Sequence, residues 1–360
     1  MGNFSIYVLW LTLIIMSWSC KEVYYPDDIE SAEQIPVIQG EIHENEVPVV
    51  QLTWALRYGD KLTEYISGAE VEVSDDWGNS VNLLETAAGS YTATSAEFMG
   101  VVGRTYTLNV RLPDGNEYVS SPAFLSGRSQ IDSLYADPDI REVYSYGTSN
   151  KPIVEYQRGL YIIADLSCNA DSVLYYRFNT RVTKEIEYTE DPGTLASKTV
   201  YVWKNSTLDN IYSVNQTIEY NNLQVLREHH VGFLHFDYDP HNYTNKQTAP
   251  YPTGWVLIFK VYAISAEIYD YYNSMSLQLN ANDQMFAPVP SQVKSTVHCL
   301  TNPKKDVIGV FEASSVTTVY KAFAWRNTEV YQSKVLESFP EDLQDGTTKP
   351  FPPEFWVSFY

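Results

Sequence analysis

From residue 36 onward, apolar side chains recur at every second position in short runs, and turn-forming residues separate the runs. A period of two sends alternate side chains to opposite faces of a strand, so such a chain must fold by burying one face of each sheet. Ala69, Val71 and Val73 alternate with Glu70, Glu72 and Ser74, and Tyr106, Leu108, Val110 and Leu112 alternate with Thr107, Asn109 and Arg111. Asp114-Gly115 is a strong hairpin signal, because both residues tolerate the left-handed backbone of a tight turn. Asp76-Trp77-Gly78-Asn79 supplies another turn. Asp75 and Asp76 lack the spaced oxygen ligands and closing Glu of a calcium loop, so they belong to that turn. With Pro36–Ile42, Pro48–Ala55 and Val81–Glu85, residues 35–127 read as a small immunoglobulin- or transthyretin-like β-sandwich. The 29 Tyr and 14 Phe favour the same class, since aromatic rings suit a half-buried pleated surface.

A break at Ser126-Gly127-Arg128-Ser129 opens a larger β-rich domain over residues 128–360. Leu174, Tyr176, Phe178, Val182 and Ile186 share one parity, with Arg177, Asn179, Arg181 and Glu185 on the other. Trp255–Ile264 is apolar on both parities apart from Lys260, which predicts a central strand buried on both faces. Ile264, Ile268, Tyr271, Met275 and Leu279 recur at three- and four-residue spacings and predict one amphipathic helix. Val307–Ala313 and Val316–Trp325 read as the last core strands of this domain. Pro340, Pro350, Pro352 and Pro353 among aromatics predict an extended C-terminal strap. The fold class is therefore mainly β.

Phe4–Trp18 is almost uninterrupted in apolar character. It falls short of the roughly 20 residues of a spanning helix and matches the core of a secretory signal over residues 1–19. A small residue before a cysteine, Ser19-Cys20, is what lipoprotein signal peptidase requires; cleavage would leave Cys20 to carry a diacylglycerol. A signal-anchor helix with an incidental cysteine is the competing reading. Residues 20–34 then form a polar tether, and Lys21-Glu22 resembles the export signal of surface lipoproteins in the Bacteroidota. The expected location is the outer membrane, lipid-anchored and facing outward. The balance of 24 Lys and Arg against 45 Asp and Glu gives −21, which excludes nucleic acid and polyanionic lipid surfaces as partners. Three cysteines are too few for a four-cysteine metal site. Once Cys20 is acylated, Cys168 and Cys299 are the remaining thiols in an oxidising space, which invites a disulfide. The alternative is that both are small buried apolar residues that never meet.

His229, His230, His235 and His241 crowd one window with Asp237 and Asp239. On a strand, odd positions would align His229, His235, Asp237, Asp239 and His241 on one face, and His229, His235, Asp237 and His241 form a ligand set suited to zinc or another divalent ion. The competing reading is a polar loop after a His-rich strand. No nucleophile elbow, phosphate-binding glycine loop or zinc-protease helix is present, so the chain reads as non-enzymatic and implies no cofactor. Tyr201, Trp203, Tyr269, Tyr271 and Tyr272, with Tyr144 and Tyr146, could stack on sugars or fill half-buried sheet and helix faces.

Several stretches together resemble a family of outer-membrane lipoproteins catalogued as domain of unknown function 4249. They are Val37-Ile38-Gln39-Gly40-Glu41-Ile42, Ser67-Gly68-Ala69-Glu70-Val71-Glu72-Val73, Gly103-Arg104-Thr105-Tyr106-Thr107-Leu108, Thr301-Asn302-Pro303 and Val307-Ile308-Gly309-Val310-Phe311-Glu312-Ala313-Ser314. The resemblance implies a partner of a TonB-dependent outer-membrane receptor, active in nutrient capture or uptake. A stand-alone glycan- or peptide-binding lipoprotein is the alternative. A metal-dependent hydrolase using the His229–His241 window is a third reading.

Overall fold

The computed structural model describes residues 34–56, 62–146, 152–168, 174–190, 195–208, 213–235, 251–281, 293–326, 330–336 and 348–349. The first sandwich is built from β1 (Pro36–His43), β2 (Val49–Trp54), β3 (Glu70–Asp75), β4 (Ser80–Ala87), β5 (Ser90–Thr92), β6 (Thr105–Arg111), β7 (Glu117–Ser120) and β8 (Ala123–Phe124). Strands β1, β2, β5 and β4 pair in that order, and β4, β3, β6 and β7 continue round the other side. The alternation read from the sequence points inward as expected. Ile38 and Ile42 from β1, Leu52 from β2, Val71 and Val73 from β3 and Tyr106 and Leu108 from β6 share one core. Gly40 keeps the inward stripe of β1 open, because a Cβ there would lie 2.8 Å from the Phe311 ring. Both turns form as expected. Gly78 and Gly115 adopt positive φ, and Asp75 Oδ1 accepts bonds from the backbone N–H of Trp77 and Asn79. The remaining Asp75 oxygen faces Arg104 at 2.7 Å, so this carboxylate serves the turn rather than a cation.

A second sandwich follows. One sheet orders β14 (Ile218–Tyr220), β15 (Leu223–His235), β10 (Pro152–Cys168) and β9 (Gln130–Tyr146). The facing sheet contains β12 (Lys198–Thr207), β11 (Tyr175–Glu190) and β16 (Tyr251–Ile264), with the short β13 (Ser213–Gln216) on β11. Leu160, Ile162 and Leu166 pack against Tyr176, Phe178, Trp255, Leu257 and Phe259 between them. The opposite face of β16 is buried too, as its two-sided pattern predicts. Tyr262 and Ile264 meet Ile268 and Tyr271 of the helix α1 (Ala266–Ala281). The helix begins one residue beyond Ser265, whose hydroxyl accepts from the Ile268 N–H, so Ile264 closes the strand rather than opening the helix. Among the described residues, no helix is long and apolar enough to cross a membrane.

The chain then returns to the first sandwich. β17 (Val297–Cys299) pairs with β7, and β18 (Ile308–Arg326) begins parallel to β1, from Val37 opposite Ile308 to His43 opposite Ser314. Val297, Cys299, Phe311 and Ala313 lie in the first core. From Ser315 to Ala324 the same strand pairs antiparallel with β16 in the second sandwich. Sequence reading assigns these late strands wholly to residues 128–360. Periodicity reports that a strand is buried but not which sheet it joins, so a parallel partner far away in sequence leaves no mark. β19 (Val330–Leu336) pairs with the end of β18, and β20 (Thr348–Lys349) pairs with β12, so the C-terminal segment reaches the β12 edge. Most of the expected strap lies outside the described residues.

The registers fix an axis. β1 climbs from Pro36 to His43, and β18 climbs beside it and carries on into the second sandwich. Residue 34 therefore lies at one end of the first sandwich and the second sandwich beyond the other. Because Phe311 is 1% exposed and fills the space left by Gly40, Phe311→Ala should cost about 3–5 kcal/mol, as for other buried aromatic truncations. Urea denaturation of the mature chain checks this, with the loss seen in the first sandwich although the substitution lies late in the sequence.

Candidate functional site

The junction of the two sandwiches holds a connected set of charged and polar side chains. Arg177 on β11 makes a two-pronged bond to Glu312 on β18, Nε to Oε2 at 2.9 Å and Nη2 to Oε1 at 2.8 Å. The guanidinium lies 3.8 Å from the ring centre of Tyr262 and 5.2 Å from that of Tyr272. Ser314 Oγ donates to Glu312 Oε1 at 2.7 Å and meets His43 Nδ1 at 2.9 Å. His43 Nε2 lies 3.4 Å from Glu41 Oε2. Residues from β1, β11, β16, β18 and α1 thus converge at one point.

Each position follows from register. Glu41 and Glu312 stand opposite each other across the parallel pair, as do His43 and Ser314. Two carboxylates in that relation repel. Arg177 offsets one of them and His43 the other. Arg177 reaches the junction because it pairs with Tyr262 and its side chain projects on the face of β11 that α1 covers. The side chain of Glu312 is 1% exposed, so its charge survives burial only through the guanidinium and the Ser314 hydroxyl.

The order Glu41, His43, Ser314 has the composition of an acid–base–nucleophile relay, but its geometry does another task. Ser314 is fully buried and donates its hydroxyl proton to Glu312, so in this arrangement its oxygen is out of reach of a substrate. The set fastens one sandwich to the other. Sequence reading missed it, although the signal was present: Glu312 interrupts an apolar run, Val310-Phe311-Glu312-Ala313, where a charge is affordable only with a partner.

The residues singled out by sequence fare differently. Cys20, Lys21 and Glu22 lie outside the described residues. Cys168 and Cys299 are both free: Cys299 is buried in the first core and Cys168 sits at the end of β10 in the second sandwich, so the expected disulfide is not formed. Both cysteines lie at strand ends, as read, but in different sandwiches. His229 packs on Phe178, ring centres 4.3 Å apart, and its Nδ1 accepts from the Asn215 amide at 3.0 Å. Burial, reinforced by the neighbouring His230, lowers its pKa to about 4, so it stays neutral. His230 turns the other way onto Tyr161. The register shift beside Ile163 interrupts the alternation on which a shared His229–His235 face depended. The side chain of His235, and all of Asp237 and His241, lie outside the described residues. Among the described residues no three His, Cys, Asp or Glu side chains are grouped to hold a metal ion. Of the aromatics considered for sugar stacking, Trp203 and Tyr271 are buried and Tyr272 packs on Arg177.

The sequence model of a domain of unknown function, DUF4249, matches residues 22–319. The chain belongs to this family. The match runs from just beyond Cys20 to the middle of β18, and so contains every member of the junction set. No curated protein matches the chain.

In this DUF4249 chain the junction has a definite pH response. Burial alone would pull the His43 pKa down. The Glu41 hydrogen bond and the charges of Glu312, Glu41 and Glu46 outweigh it and hold the imidazole above its ordinary value of 6.5. A raised folded-state pKa means stability that is complete below about 6.5 and is lost as pH rises through the folded value. Unfolding midpoints should therefore fall from pH 6 toward pH 8, and His43→Gln should flatten that slope. A second expectation concerns the ion pair. Arg177→Met strands the buried Glu312 charge and should cost about 3–5 kcal/mol, whereas Arg177→Met with Glu312→Leu should recover most of the loss. Urea denaturation of the three variants beside the parent chain distinguishes these outcomes.

Proposed function

We propose that this DUF4249 protein is an outer-membrane lipoprotein, anchored through Cys20 and facing outward, that docks on a TonB-dependent receptor and assists capture or admission of a nutrient. The observation that carries the reading is the axial arrangement. The polar tether after Cys20 leads to residue 34 at one end of the first sandwich. The second sandwich stands beyond the opposite end, held by a strand common to both. The ends of β9 and β10, β11 and β12, β15 and β16, and β18 and β19 all fall on the side of the second sandwich away from the junction. Connections gathered at the end of a rigid scaffold are where binding surfaces concentrate.

At that end β9 and β10 run on as a ribbon. Ile140, Val154 and Tyr156 are exposed there, on the face that nearer the junction supplies Leu134, Leu160 and Ile162 to the core. An exposed apolar face of this kind suits a protein or peptide partner better than a sugar. It also favours the peptide form of the alternative, a stand-alone binding lipoprotein.

Purification from native membranes in mild detergent separates the two. Co-recovery of a large barrel receptor is expected, and recovery of this chain alone would favour the stand-alone form. Cys20→Ala should abolish acyl labelling and leave uncleaved precursor; unchanged size and labelling would overturn the anchor.

A further inference from the structure

The end of the first sandwich at which the tether arrives has a character of its own. Gln34, the first described residue, donates its side-chain amide to Glu64 at 3.1 Å, and the Ala55 N–H donates to the Ile35 carbonyl at 2.9 Å. The tether's exit is thereby fastened to the segment between β2 and β3. That segment exposes Leu56, Leu62 and Tyr65, with Leu62 at 81% of its full surface. Tyr65 bridges back to Thr53, which keeps it at the foot of β2. Beside it, the turn between β6 and β7 and the connection from β17 to β18 are tied together. The Leu300 N–H donates to Glu117, Thr301 Oγ1 to Asn116, and Lys305 lies 3.6 Å from Asp114. Leu300 is exposed at this same end.

We propose that this end of the first sandwich rests on the lipid surface, with Leu56, Leu62, Tyr65 and Leu300 entering the interfacial layer of the bilayer. The inference rests on the acylation of Cys20 argued above. The occupant is lipid because the chain's own tether begins here. With 13 residues between Cys20 and Gln34, fully extended reach is at most about 45 Å, so this end is the part of the body held nearest the membrane. Leucine and tyrosine side chains at such a boundary place apolar carbon in the acyl region and the phenol at the headgroups. The charges around them are mixed, with Glu64, Asp114 and Glu117 against Lys304 and Lys305. Attraction to anionic headgroups is therefore not the driving force, and contact should be insensitive to salt. Seating the body in this way fixes the axis upright and aims the ribbon at the far end away from the membrane.

The test uses the full acylated protein reconstituted into phosphatidylcholine vesicles. Leu62→Cys and Leu300→Cys carry an environment-sensitive fluorophore, with Val101→Cys, exposed at the opposite end of the same sandwich, as reference. The labelled unsubstituted protein corrects for any reaction at Cys168. Emission at positions 62 and 300 should shift to the blue. Nitroxide-bearing phosphatidylcholine should quench it about twofold or more, equally at low and high salt, as for other interfacial segments. Position 101 should show neither effect. An unshifted, unquenched probe at both 62 and 300 overturns the inference, and so does a blue shift without quenching, which would mean that protein covers this end. Sedimentation with the vesicles tells the two readings apart. Failure to sediment removes the anchor itself, whereas sedimentation without quenching removes the seating alone.

Discussion

Everything in this molecule depends on one strand entering two hydrophobic cores. β18 lies parallel to β1 over Ile308–Ser314 and antiparallel to β16 over Ser315–Ala324, without a break. A strand is stiff along its length, so the two sandwiches inherit a fixed relation from it. The cost falls on folding. The first sandwich lacks Phe311, Ala313, Val297 and Cys299 until most of the chain has been made, and closing a loop of that length must precede the contacts that reward it. Gly309 marks how tight the parallel pairing is: a Cβ there would lie 2.5 Å from the Ile38 carbonyl oxygen.

The polar junction is a consequence of the same strand. Where β18 passes from one core to the other, Arg177, Glu312, Ser314 and His43 are linked to one another beside it. A buried ion pair adds little net stability compared with apolar residues of equal size, because desolvation of both charges offsets their attraction. Its contribution is geometric. The two-pronged guanidinium–carboxylate bond tolerates one orientation, and Tyr262 and Tyr272 hold the guanidinium in place. Sliding β18 by one residue along β1 would bring Glu312 out of reach of Arg177 and turn Phe311 away from the core, so charge and packing select the same register.

What the sequence made legible follows from what periodicity can report. The alternations at Ala69–Val73 and Tyr106–Leu112 and the two-sided strand Trp255–Ile264 appear as read, and the helix after it appears with its start moved to Ala266, since each is a local pattern of burial. Partnership is not local. Nothing in Val307–Ala313 announces β1 as its neighbour. The parity argument that linked His229 to His235 meets a related limit. A single register shift near Ile163 undoes a parity argument, and the unusual backbone at Glu228, with φ of 50°, carries no sequence signature of the kind a glycine would give. The cysteines illustrate the limit from the other side: an even count invites pairing, but only the assignment of Cys299 to the first core decides against it.

These constraints bear on what such a body can do. The buried charges of Arg177 and Glu312 are committed to each other at the junction, and exposed apolar side chains stand at both ends. The two ends differ in kind. The foot of the first sandwich shows exposed Leu56, Leu62, Tyr65 and Leu300, and the far end of the second shows the long strands β9 and β10. The described side chains of β10 before Leu160 include exposed Ile153, Val154 and Tyr156, an apolar surface larger than a single scattered residue. An exposed apolar ribbon at the end away from the tether suits the docking role proposed above, and the continuous pairing of β18, first with β1 and then with β16, connects that end to the first sandwich.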